Sequence, residues 1–162
     1  KGFLYVGIMI VDNEPFVIEF NVRMGDPETQ VVIPLLKSSF YQLLDDCLSG
    51  QLNQTNLQIS SQTAVTVVLA ADGYPESYEK GMKVTGINES NADRVFHAGT
   101  RQVDGNLVTS GGRVLNVIGF GENLEAAIGK AYELANEIEF KGKFFRTDIG
   151  KKGLNYKRGR SL

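Results

Sequence analysis

Tryptophan is absent from these 162 residues, cysteine and histidine occur once each, and proline occurs four times. A single cysteine, Cys47, excludes an intramolecular disulfide and suits a reducing compartment. Set among Leu43, Leu44 and Leu48, it reads as a core thiol rather than a nucleophile. His97, the one histidine, has no cysteine or histidine at ligand spacing, which excludes the usual zinc sites; on a short strand it reads as structural. No apolar run reaches the 18 or so residues of a membrane span, and nothing resembles a signal peptide. A cytoplasmic protein with no membrane partner is therefore expected. An excess of one charge is also lacking. Seventeen basic and 19 acidic residues give a net charge of −2, so there is no general electrostatic case for nucleic acid. Apolar residues, by contrast, are plentiful at 42%. That suffices for a real core in a chain within the roughly 100–200 residues typical of one domain.

The informative stretch is Pro15-Phe16-Val17-Ile18-Glu19-Phe20-Asn21-Val22-Arg23-Met24-Gly25-Asp26-Pro27-Glu28-Thr29-Gln30. Its first half reads as a buried strand, and alternation along a strand puts Phe16, Ile18 and Phe20 on one face. Glu19, Asn21 and, where the chain stays extended, Arg23 share the other. Polar groups of this kind on an apolar strand are costly to bury without partners, and a charged ligand is the natural partner. Glu19 and Asn21 offer oxygens of the type Mg²⁺ accepts when it also holds phosphates. Arg23 offers a rigid fork of donors to phosphoryl or carboxylate oxygens. The competing reading is a polar face that is simply solvated.

The preceding run, Phe3 to Val11, reads as a strand covered on both faces. Asp12-Asn13-Glu14-Pro15 turns the chain into an antiparallel hairpin. On the matching face of that first strand, Gly7 admits close approach and Met9 offers a flexible apolar surface for a purine ring; plain core packing is the alternative for Met9. Starting at Lys1 with no initiator Met, the run would lack much of its cover, so the chain reads as the C-terminal piece of a longer protein. Asp26-Pro27-Glu28 has the composition of a helix start, with an N-cap Asp and a first-position Pro. Ser39 and Gln42 have capping-box spacing ahead of a helix that Gly50 stops. Polar, aperiodic residues 49–56 then mark a boundary, giving units 1–56 and 57–162.

In the second unit, residues 63–71 and 113–120 read as buried strands, and Arg94 to Arg101 as a strand. Asp104-Gly105 closes a hairpin, and Glu122 to Phe140 reads as an amphipathic helix. Phe144-Phe145-Arg146 ends the sheet. Arg113 follows a Gly-Gly pair that lets backbone approach a ligand, whereas Lys80 reads as a surface lysine. The basic tail, Lys141 to Arg160, reads as a mobile, solvated terminus rather than a surface for RNA.

Glu19-Phe20-Asn21-Val22-Arg23 resembles the metal-binding strand of the ATP-grasp ligases. Residues 23–30 resemble the signature of the phosphoribosylamine–glycine ligases. The similarity continues through Leu35-Leu36-Lys37-Ser38, Gly73-Tyr74-Pro75, His97-Ala98-Gly99-Thr100 and Thr109-Ser110-Gly111-Gly112-Arg113-Val114. This resemblance implies an α+β fold: the C-terminal part of an ATP-grasp domain, built as a hairpin plus helices, then a small antiparallel sheet packed with one long helix. It implies ATP as co-substrate and Mg²⁺, with Mn²⁺ as the alternative ion, held by Glu19 and Asn21. Arg23 is implied as the catalytic cation and Met9 as a nucleotide contact. Asp26, Glu28 and Arg113 are implied at the substrates, glycine and 5-phosphoribosylamine. Relatives carry another acidic metal ligand on the preceding strand, where this chain has Gly7.

The expected activity is ATP-dependent ligation of glycine to 5-phosphoribosylamine through glycyl phosphate, in purine biosynthesis. The glycine-rich phosphate loop of such enzymes is not found in these residues. They are therefore expected to be inactive alone and to need the N-terminal domains as partner. The alternatives are another ATP-grasp ligase of purine metabolism, against which Gly25-Asp26-Pro27-Glu28 argues, or a non-catalytic Mg-nucleotide-binding module.

Overall fold

The structure is a computed structural model that describes residues 1–159. It is an α+β fold of two compact units, Lys1–Ser60 and Ser61–Leu162.

The first unit opens with the antiparallel hairpin of β1 (Tyr5–Val11) and β2 (Glu14–Asn21). Asp12 and Asn13 both take positive φ at the turn, the left-handed geometry that suits Asx residues in a tight hairpin. The strands are not buried as their composition suggests. Ile18 and Phe20 are each 65% exposed, because a two-stranded sheet cannot cover its own faces. The register also shifts: Gly7 pairs with Glu19, whereas Ile8 pairs with Val17. Ile18 is thus the extra residue of a bulge, which reverses the alternation beyond it. Phe16 leaves the face of Phe20 and joins that of Glu19 and Asn21, which corrects the single apolar face expected for Phe16, Ile18 and Phe20.

The helix expected at Asp26-Pro27-Glu28 does not start there. The Asp26–Pro27 peptide is cis, and the short helix α1 (Thr29–Val32) begins after Glu28, which makes no side-chain cap. A 3-10 turn, Ile33–Leu35, follows at Pro34. Helix α2 (Phe40–Ser49) has the caps its sequence announces: Ser39 accepts from the Gln42 N–H, and Gly50 ends the helix at φ 76°. The Gln42 side chain does not reach back as a full capping box would; its Nε2 donates to Asp46 Oδ1 at 2.8 Å. Phe40, Leu43, Leu44 and Cys47 line an apolar groove with Phe3 and Leu57. Cys47 is a half-buried packing residue there.

The second unit is built on a four-stranded antiparallel sheet in the order β4-β7-β3-β8, with β3 (Thr63–Ala71), β4 (Val95–His97), β7 (Arg113–Gly121) and β8 (Lys143–Phe144). A separate hairpin joins β5 (Thr100–Val103) to β6 (Asn106–Thr109) through Asp104-Gly105. The single strand expected over Arg94 to Arg101 is therefore divided between two sheets. It breaks at Ala98-Gly99, whose N–H groups both donate to the Val114 carbonyl, at 3.1 and 3.0 Å.

Helix α3 (Leu124–Glu137) lies on this sheet and starts at Asn123, whose Oδ1 accepts from the Ala126 N–H at 2.9 Å. Ala127, Ala131, Leu134 and Ala135 are buried against Val65, Val67, Leu69, Val114 and Val117. Small residues on the helix let it approach, and Gly119 completes the fit: a Cβ there would lie 3.0 Å from Ala131 Cα and collide with the Ala127 carbonyl oxygen. The expected mobile tail is helical over α4 (Lys151–Gly159). Gly153 on this helix packs against Leu124. Arg160, the last tail residue named above, lies outside the described residues.

Candidate functional site

The bulge decides what shares a face with Glu19. Residues paired directly across an antiparallel ladder project to the same side. Gly7 pairs with Glu19, Tyr5 with Asn21, and Met9 with Phe16. One face therefore carries Tyr5, Gly7 and Met9 from β1 and Phe16, Glu19 and Asn21 from β2. Glu19 is exposed and Asn21 half-buried. Asn21 Nδ2 is shut off from solvent with no hydrogen-bond partner. An enclosed donor left unpaired costs about 1–3 kcal/mol, a cost that is removed if the amide turns toward a ligand rich in acceptor oxygens. Opposite Glu19, Gly7 leaves the space beside that side chain open, since a Cβ there would come to 3.0 Å of Glu19 Cγ.

Below the strand ends lies a cleft of about 210 Å³ lined by Tyr5, Arg23, Met24, Gly25, Glu28 and Thr29, among others. Arg23 is exposed, and its Nη1 donates to the Met24 carbonyl at 3.0 Å. Glu28 Oε1 accepts from the Tyr5 hydroxyl at 3.2 Å. Gly25 is buried at their junction: a Cβ would fall 2.7 Å from Tyr5 Cε2 and collide with Glu28 Oε2. The Tyr5 phenol is pushed above its ordinary pKa by desolvation first, then by the neighbouring carboxylates of Glu28 and Glu19, against the opposing pull of Arg23. Asp26 is exposed, and its Oδ1 accepts from Gln30 Nε2 at 3.1 Å. The Thr29 hydroxyl donates to the Gly25 carbonyl, anchoring the loop to α1.

Glu19, Asn21, Arg23, Asp26, Glu28 and Met9 thus all belong to the first unit. Glu19, Asn21 and Met9 share the hairpin face, Arg23 and Glu28 line the cleft, and Asp26 stands in the loop beside it. Tyr5 is the residue that sequence reasoning passed over. Its signal was present, two residues before Gly7 on the strand facing Glu19.

Arg113 belongs to the second unit, where it opens β7 opposite Ala70. The quoted motifs of this unit converge there. The ring of Tyr74 lies against Gly112, where a Cβ would come to 2.8 Å of Tyr74 Cε2. The N–H groups of Ser110 and Gly111 both donate to the Gly99 carbonyl, at 2.7 and 3.1 Å. His97 is exposed, with Nδ1 2.9 Å from the Thr100 hydroxyl. Lys80 sits over the Tyr78 ring, 5.6 Å from its centroid. Among the described residues no group of three or more His, Cys, Asp or Glu side chains could hold a metal ion, and no helix is long and apolar enough to cross a membrane.

Two family models match stretches of this chain. Residues 64–152 match the phosphoribosylglycinamide synthetase C domain, and residues 1–29 match the ATP-grasp (A) domain of the same synthetase. The chain is 46% identical over 156 residues to a phosphoribosylamine–glycine ligase of Chlorobaculum tepidum, covering 94% of this chain and 37% of that protein. It is 44% identical over 158 residues to the human trifunctional purine biosynthetic protein adenosine-3, covering 96% of this chain and 16% of that protein. Among solved structures, phosphoribosylamine–glycine ligase of Thermotoga maritima superposes with a TM-score of 0.75 at 42% identity, covering 92% of this chain and 37% of that one. The chain thus spans little more than a third of the single-function ligases it matches. With more than half its length matched to the C domain and its first residues to the A domain, the chain belongs to the phosphoribosylglycinamide synthetase family.

Proposed function

We propose that this chain is the C-terminal part of an ATP-dependent carboxylate–amine ligase. In this reading it joins glycine to 5-phosphoribosylamine through glycyl phosphate, releasing ADP and phosphate. Residues 1–56 form the end of the ATP-grasp domain and residues 57–162 the C-terminal domain, a boundary four residues before the compact units divide after Ser60; the separate matches of 1–29 and 64–152 support a division in this region. The observation that carries the reading is the hairpin face. There Glu19 stands opposite the bare Gly7 and Asn21 opposite Tyr5, with Asn21 carrying an enclosed donor that has no partner.

A divalent ion fits this donor set as one part of a larger shell. A carboxylate and an amide oxygen on one strand face are the hard donors that Mg²⁺ takes alongside phosphate oxygens and water. Glu19 and Asn21 would hold it, with Mn²⁺ as the alternative ion. Once bound, it would neutralise charge on the phosphates during transfer. What the chain's own side chains do can be stated separately. Asn21 Nδ2 donates to a phosphate oxygen. The Arg23 guanidinium, now on a backbone carbonyl, turns to the transferring phosphoryl and offsets its charge. Met9 lays its thioether against the purine.

Glu28 and Asp26 accept from the ammonium group of glycine. This leaves the glycine carboxylate to attack the γ-phosphorus as the bond to ADP breaks. The amine of phosphoribosylamine then attacks the acyl carbon, the carbon–oxygen bond to phosphate breaks, and the nitrogen loses a proton. Arg113 receives the ribose phosphate. Positioning and charge neutralisation supply most of the catalysis in such transfers.

The test uses the full-length protein that carries this chain. ATP-dependent phosphate release with glycine and phosphoribosylamine is expected, and none with bicarbonate or formate in place of glycine. Glu19→Ala should lower kcat by about a hundredfold or more. Turnover unchanged in that variant, or a preference for formate, overturns the reading. These 162 residues alone should show no amide formation.

A further inference from the structure

The cleft contains a side chain with no role in the reaction as set out above. Tyr5 is half-buried, and its hydroxyl donates to Glu28 Oε1 at 3.2 Å across 23 residues of sequence. The other oxygen of the same carboxylate, Oε2, sits where a Cβ on Gly25 would collide with it. The edge of the Tyr5 ring presses on the same glycine, 2.7 Å from where a Cβ would stand. One oxygen of Glu28 is therefore held by a hydrogen bond, and the other takes up room that only a glycine at position 25 leaves open.

An exposed glutamate ordinarily samples several rotamers, and fixing one costs side-chain entropy. A carboxylate already fixed makes that loss before a ligand arrives, so more of its interaction appears as affinity. The strand β1 places Tyr5 opposite Asn21 on the face of Glu19, with its ring edge against Gly25. The phenol thus ties the amine-accepting carboxylate in the loop to the hairpin face that carries the metal-ligand candidates.

We propose that Tyr5 is a positioning residue of the amino-acid pocket: its phenol and the bare Gly25 Cα orient the Glu28 carboxylate to receive the substrate ammonium. This rests on the assignment of Glu28 to that ammonium, made above. The inference concerns selectivity for the amine-bearing substrate rather than phosphoryl transfer. Its signature therefore falls on the KM for glycine and spares the KM for ATP.

The test is steady-state kinetics of the full-length protein carrying Tyr5→Phe, Glu28→Gln or both. Tyr5→Phe keeps the ring against Gly25 and removes only the hydroxyl. It should raise the KM for glycine about tenfold, the usual effect of losing one hydrogen bond to a charged group. The KM for ATP should move less than about twofold and kcat less than about threefold. Glu28→Gln should raise the glycine KM at least as much, and the double variant should be no worse than Glu28→Gln, because Tyr5 acts only through that carboxylate. If Glu28→Gln leaves the glycine KM unchanged, the assignment of Glu28 fails. If Glu28→Gln raises it but Tyr5→Phe does not, or the two effects multiply, the inference about Tyr5 fails on its own. A Tyr5→Phe protein whose ATP and glycine KM values rise together also overturns it, since the phenol would then be holding the whole hairpin.

Discussion

Gly7→Ala is the sharpest probe of the hairpin face. Gly7 stands directly opposite Glu19, and a Cβ at this position lies 3.0 Å from Glu19 Cγ. Non-bonded carbons settle at about 3.5–4.0 Å, so the Glu19 side chain must retreat by roughly 0.5–1 Å. A misplacement of about 1 Å in a positioned catalytic group costs on the order of a hundredfold in rate. In the full-length protein carrying this chain, the expected loss in kcat is about ten- to a hundredfold. Stability should move the other way. The Gly7 backbone is not in the left-handed region, and replacing glycine at a compatible position typically adds about 0.4–1 kcal/mol. The assay pairs coupled ADP release, run across a Mg²⁺ titration, with a urea midpoint. A loss of turnover alongside an unchanged or raised midpoint is the expected pattern. Turnover within about twofold of the parent would refute the placement of Glu19 at the reacting phosphates, since the one side chain that must move is its own.

Two further outcomes follow from packing and charge. In the second unit, Gly119→Ala drives a methyl into the Ala127 carbonyl and to 3.0 Å from Ala131 Cα; β7 and α3 must part, and overpacking of this kind costs about 1–3 kcal/mol. Urea unfolding reads the loss, and an unchanged midpoint would mean that helix and strand do not meet there. In the first unit, the Asp46 carboxyl is held below its ordinary value of 3.8 by the Thr55 hydroxyl at 2.5 Å and then by Gln42 Nε2 at 2.8 Å. A depressed carboxylate pKa means stability that is present above the unfolded value and lost as pH falls through the folded one. Thr55→Val should therefore raise the Asp46 pKa seen by NMR titration and move the acid limb of unfolding to higher pH; an unmoved titration would show that the bond to Thr55 does not form.

Parts of the fold were legible because their causes are local. Ser39 and Gly50 bound α2, and Asp104-Gly105 turns β5 into β6, because capping and turn chemistry act within a few residues. The long apolar runs at Thr63–Ala71 and Arg113–Gly121 are central strands, covered by α3 as their composition requires. Where sequence reasoning fell short, the deciding contact was distant. The break between β4 and β5 comes from Ala98 and Gly99 donating to Val114, and from Gly99 receiving Ser110 and Gly111. No periodicity within residues 94–101 carries that information. Asp26-Pro27-Glu28 misled for a related reason. It has helix-start composition, but Tyr5 engages Glu28, which makes no side-chain cap, and Gln30 engages Asp26.

The site divides along the same line. The residue types of the candidate site stand out in the sequence, since acid, amide and guanidinium on an apolar strand suit a charged ligand, with a solvated polar face as the competing reading. Their facing does not. The bulge at Ile18 moves Phe16 beside Met9 and onto the side of Glu19, and strict alternation along β2 puts it on the opposite side. Tyr5 was hidden differently: a tyrosine within an apolar run reads as packing until the pairing with Asn21 and the hydroxyl bond to Glu28 are seen. Both omissions concern relations between strands rather than residues within one. Pairing register, not the order of residues along β2, determines which side chains can reach a common ligand. A substitution that shifts this register by one residue should therefore damage the site more than the loss of any single neutral side chain on the face, because it would turn Glu19 and Asn21 away together.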